Sequence, residues 1–153
     1  MAAKQIHELV SDVRSIHSSL EEKVRQARQK GGEKEELSRI LQFLEQSEEH
    51  IDKTLAGYND QTRTAILNTY IRYYPEEIVK AMYHLMDKAA THTGNELVSA
   101  IHSIKEDIVR MLDACNNSLL IPDVREFLED IKTHEYCQLK EMGRRLVEME
   151  QGV

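Results

Sequence analysis

The sequence predicts an all-α fold, and three observations predict it. Apolar residues recur at three- and four-residue steps over four long stretches, no stretch shows the strict alternation of a half-buried strand, and helix-breaking residues are scarce. With 41% apolar and 31% charged residues against two prolines and six glycines, the composition suits amphipathic helices rather than sheets. The length of 153 residues is that of one domain with a core large enough to stand without disulfides.

The elements follow in order. Ile6, Val10, Val13, His17, Leu20, Val24 and Ala27 set the first helix within residues 4–30, which Gly31-Gly32 ends. Leu37, Ile40, Leu41, Leu44, Ile51 and Leu55 carry the second, with Gly57 expected as its C-terminal cap. The two-glycine link makes residues 4–57 an antiparallel hairpin. Residues 58–92 form a long connection with helical patterning of its own, in which Pro75-Glu-Glu77 opens the later piece. Thr93-Gly-Asn-Glu96 has the spacing of a capping box and introduces a third long helix bearing Leu97, Ile101, Ile104, Ile108, Met111 and Leu112. That helix stops at Asn116-Asn117. Pro122 starts the fourth, whose stripe is Val124, Phe127, Leu128, Ile131, Leu139, Met142, Leu146 and Met149. Residues 93–151 are thus a second hairpin.

The two hairpins repeat. Sliding the chain by 87 residues carries Val10 onto Leu97, Leu37 onto Val124, Ile40 onto Phe127, Leu41 onto Leu128, Leu44 onto Ile131 and Leu55 onto Met142. The same shift lays Glu48 on Glu135, and both carboxylates fall within an apolar stripe. An unpaired polar group there costs ~1–3 kcal/mol, and a charge more.

Paired hairpins, a long crossover and inward carboxylates on the second and fourth helices resemble the ferritin-like superfamily, in particular its rubrerythrin-like members. The resemblance implies an antiparallel four-helix bundle with a long, partly helical crossover between helices 2 and 3. It also implies a di-iron centre built from a Glu on helices 1 and 3 and a Glu-x-x-His on helices 2 and 4. By phase, those positions read His17, Ile104, Glu48-Glu-His-Ile51 and Glu135-Tyr-Cys-Gln138, so most of the ligands are gone. The polar residues left at similar heights are His17, Glu48, Glu135 and Gln138. They form either a hydrogen-bonded layer in the core or a reduced site for a single divalent metal or iron. His50 lies off its apolar stripe and reads as solvated. His17-x-x-x-Glu21 and His102-x-x-x-Glu106 are similar to hemerythrin-like spacing, but His102 is on the side of its helix away from Ile104, which rejects that chemistry.

A formal charge of -7 with no basic stripe argues against nucleic acid and anionic lipid as partners. No apolar run approaches the ~18–20 residues of a membrane span, and the expected location is the cytoplasm. Cys115 and Cys137 stand roughly 24 Å apart in height across a helical hairpin and are expected as reduced, partly buried thiols. Tyr70, Tyr73, Tyr74 and Tyr83 gather in the crossover, where they suit a homodimer or protein-partner contact or the packing of the crossover itself. No phosphate loop and no nucleophile constellation is present. The functional reading is a non-catalytic ferritin-like bundle acting as an interaction or small-ligand-binding module without a cofactor. The alternative is a metal-binding or redox protein of the same class with a non-standard site at His17, Glu48, Glu135 and Gln138.

Overall fold

Six helices follow one another in the computed structural model, which describes residues 3–32, 34–89 and 94–150, leaving out the side chains of residues 59, 60, 149 and 150. They are α1 (Ile6–Lys30), α2 (Glu35–Gln61), α3 (Thr64–Leu67), α4 (Glu76–Ala89), α5 (Gly94–Asn117) and α6 (Pro122–Glu150). The protein is all-helical. Among the described residues the only extended pairing is an isolated bridge between Gln5 and Tyr70.

Helix ends follow local chemistry. The Glu8 carboxylate accepts the Gln5 backbone N–H at 2.9 Å at the start of α1. Gly31 and Gly32 adopt φ of 67° and 86°, the left-handed region that a side chain resists, and the Gly31 N–H donates to the Arg28 carbonyl. Pro75 precedes α4, where its carbonyl accepts the N–H groups of Ile78 and Val79. Pro122 is the first residue of α6, where its missing N–H costs nothing. Glu96 lies in the first turn of α5, while Thr93, its expected capping partner, lies outside the described residues.

The expected stop at Gly57 is corrected. α2 continues through it to Gln61, and the crossover begins after that residue rather than at Tyr58. The reason is tertiary: Tyr58 packs edge-on against Phe127 of α6 with ring centroids 5.5 Å apart, which holds the last turn in place. A mid-helix glycine costs only ~1 kcal/mol, less than such packing contributes.

Side-chain partners give the helix directions. Arg28 meets Glu45, His17 meets Glu48 and Arg14 meets Asp52, so α1 and α2 are antiparallel. Lys132 with Asp113 and Asn116 with Glu129 make α5 and α6 antiparallel as well. α2 also lies against α6, α1 touches α5, and α4 packs chiefly on α5. Every residue of the repeat, from Val10 with Leu97 to Leu55 with Met142, is buried on both sides of the pairing. The N-terminal segment is tied to the crossover, with the Ile6 N–H on the Thr69 carbonyl at 2.9 Å and the Ile71 N–H on the Lys4 carbonyl at 2.8 Å. Among the described residues, no helix is long and apolar enough to cross a membrane.

Candidate functional site

Four ionisable side chains meet inside the core, one from each long helix: His17 of α1, Glu48 of α2, Lys105 of α5 and Glu135 of α6. Each sits on the apolar stripe of its helix, so the period that buries the neighbours buries it too. His17 lies between Val13 and Leu20, Glu48 between Leu44 and Ile51, Lys105 between Ile101 and Ile108, and Glu135 between Ile131 and Met142. None is more than 2% exposed.

His17 bridges the two carboxylates. Its Nδ1 contacts Glu48 Oε2 and its Nε2 lies 2.6 Å from Glu135 Oε1. A carboxylate only accepts, so a ring that serves both must carry a proton on each nitrogen, as the imidazolium does. Burial alone would lower its pKa, but the charges and hydrogen bonds of Glu135 and Glu48 outweigh it and hold the ring up to about 9. The Lys105 ammonium contacts the remaining oxygen of Glu48, Oε1, as an ion pair whose angle falls outside that of a hydrogen bond. Burial would raise the Glu48 carboxyl, yet Lys105 and then His17 hold it down to about 2. The result is a neutral tetrad of two cations and two carboxylates, and each hairpin supplies one of each.

Of the four residues that the sequence singles out, three converge. His17, Glu48 and Glu135 touch directly. Gln138 turns aside, donating from Nε2 to the Ser47 carbonyl of α2 at 3.1 Å. Lys105 is the member that pattern reading misses, and its signal was present: it stands four residues after Ile101 and three before Ile108, inside the stripe. His50 is exposed, and His102 pairs with Glu106 at 2.8 Å on the surface of α5. Cys115 is buried and free, its thiol pushed up to about 12 by burial. Cys137 is also free but exposed, not partly buried as expected.

The tetrad does not fit the di-iron centre of the ferritin-like resemblance. Both nitrogens of His17 face carboxylates, an ammonium stands on Glu48, and Ile104 and Ile51 fill their positions with buried hydrocarbon. The oxygens and nitrogens are arranged in successive pairs rather than about a common point, and among the described residues no group of three or more His, Cys, Asp or Glu is placed to hold a metal ion. A single divalent metal at His17, Glu48, Glu135 and Gln138 is therefore a poor fit as well.

The surface is laid out differently. Clefts of 590, 400 and 410 Å³ lie between α1 and α4, beside residues 71–77, and between α4 and α5, and none is lined by the tetrad. Tyr70 and Tyr73 are 61% and 57% exposed, and Tyr83 is also exposed. Tyr74 turns inward instead, its hydroxyl donating to Asp12 at 2.5 Å. Burial and the Asp12 carboxylate both push its pKa upward. Leu120 and Ile121 stand out at the turn between α5 and α6.

No protein-family model matches this chain, and neither a curated protein nor a solved structure matches it.

Proposed function

We propose that this protein is a ferritin-like four-helix bundle, with α3 and α4 as its crossover, that works as a non-catalytic interaction or small-ligand-binding module. What supports the bundle is the pair of antiparallel hairpins related by the repeat, with α2 against α6 and α1 against α5. The observation that carries the functional reading is the Lys105 ammonium on Glu48. With it, the carboxylates on the family's ligand positions are neutralised by side chains of the chain itself. General acid–base or metal-assisted chemistry needs a group that substrate can reach. His17, Glu48, Lys105 and Glu135 are sealed from every cleft described above, so the core serves as a fixed polar layer that sets the register of the helices.

Binding then belongs to the outside. Tyr70 and Tyr73 offer amphipathic rings on the crossover, where a second copy or another protein gains area at low entropic cost. Tyr83 extends that surface on α4, whereas Tyr74 is engaged with Asp12 and serves packing.

Two measurements test the proposal together. Protein from medium supplemented with iron, manganese and zinc, purified without tag or chelator, is expected to carry no stoichiometric metal, and sedimentation at rising concentration is expected to show association that Tyr70→Ala, Tyr73→Ala weakens. Near-stoichiometric metal that disappears in Glu48→Gln, Glu135→Gln would instead establish the metal-binding or redox reading.

A further inference from the structure

We infer that Lys105 is a tethered counter-ion: it neutralises the buried Glu48 carboxylate in the place where a bound cation would otherwise stand, so that removing its charge turns the tetrad into a site for one divalent cation. The inference deepens the metal-free reading above and rests on it.

The geometry has three parts. Glu48 is approached by cations from two different helices, His17 on Oε2 and Lys105 on Oε1, so both of its oxygens are engaged. Glu135 is held from one side by His17 at 2.6 Å. All four side chains are sealed from solvent, so the sum of their charges matters: two positive and two negative groups cancel, and deletion of either cation leaves net negative charge in a medium that tolerates it poorly. Lys105 is also the member that does not derive from the repeat. The register lays His17 on Ile104, and Lys105 follows one residue later, reaching the same place from α5 on a longer stem. Ile104 itself is fully buried hydrocarbon.

Without the ammonium, Glu48 Oε1 would face the space that the lysine head had filled, with the Glu135 carboxylate held beyond the same imidazole. Oxygen donors of that kind suit a hard or borderline divalent ion such as Mn²⁺ or Zn²⁺. His17 would then be free to give up one proton and turn a ring nitrogen toward the ion. In the protein as it stands, a divalent ion would have to displace an attached cation from a sealed core.

The experiment compares the full chain with Lys105→Met, Glu48→Gln and the double variant Lys105→Met, Glu48→Gln. Thermal melts at pH 7 are run with and without MnCl₂ or ZnCl₂, and bound metal is measured after dialysis. The native chain is expected to take up neither metal and to show no change in Tm. Lys105→Met is expected to melt about 10 °C lower, as breaking a buried ion pair in a chain of this size implies. It should recover much of that loss with metal and retain about one ion per chain. In the double variant both the loss and the response to metal should largely vanish, because the charge that required a partner is gone.

A Lys105→Met protein that takes up no metal, folded or during refolding in its presence, overturns the inference. A double variant that melts as low as the single one overturns it too, and this arm decides even where Lys105→Met does not fold alone. These failures leave the functional proposal intact. Metal uptake by the native chain that depends on Glu48 and Glu135 would overturn both.

Discussion

His17 should make the protein lose stability on the alkaline side of neutrality, and the size of the loss follows from the tetrad. In the unfolded chain the imidazole releases its proton near its ordinary value of 6.5, whereas in the fold Glu135 and Glu48 hold it up to about 9. Below pH 6.5 both states carry the proton and the stabilisation is present in full. Between 6.5 and 9 the unfolded state has lost the proton that the folded state keeps, so stability falls by ~1.4 kcal/mol per pH unit. Above pH 9 the contribution is gone. Over the whole window the loss is about 3 kcal/mol, a substantial share of the ~5–15 kcal/mol typical of a domain. The ring is fully buried, so solvent screening does not reduce the figure. Urea unfolding followed by circular dichroism from pH 6 to pH 10 measures it, with His17→Gln as the reference that removes the titration of all other groups. The difference between the two proteins should shrink as pH rises. A difference that stays constant over the range would refute the assignment of an imidazolium bridging two carboxylates.

The acid flank has the opposite sign. Glu48 is held down to about 2, so its stabilisation is present above pH 4.5 and is lost as pH falls toward 2, by about 3 kcal/mol, which an acid series of urea melts of the native chain and Glu48→Gln would show. Thiol labelling at pH 8 should modify Cys137 rapidly and spare Cys115 until the protein unfolds, since only the former is exposed and burial pushes the latter up to about 12. Tyr74→Phe removes the hydroxyl that donates to Asp12 and should cost about 1 kcal/mol in urea melts, with no change in the association expected of Tyr70 and Tyr73. Gly31→Ala should cost about 1 kcal/mol, because φ of 67° strains any residue with a Cβ although nothing lies within 4 Å of the added atom.

Much of the architecture could be read from local pattern. The three- and four-residue steps place Val13, Leu41, Ile108 and Leu128 inward without knowledge of what they meet, because burial of one face is a property of the helix itself. The Gly31-Gly32 and Pro122 boundaries were legible for the same reason, since they express backbone constraints. Gly57 was misleading because glycine permits a stop without enforcing one. The decision lay with Tyr58 and Phe127, which are far apart in the chain and meet only after folding.

The site divides along the same line. Glu48 and Glu135 declared themselves as carboxylates on apolar stripes related by the repeat, and His17 shared their phase. Lys105 was equally in phase, but a lysine on a stripe ordinarily carries its long stem along the hydrocarbon and its charge out to water. Whether the head is instead buried depends on a countercharge held by another helix, here Glu48 of α2. Gln138 shows the converse, being in register with the site and yet drawn to the Ser47 carbonyl. Sequence by itself determined which faces turn inward, because periodicity is local. Only the tertiary structure decided which charges neutralise one another, because electrostatic partners are chosen across helices by distance and desolvation.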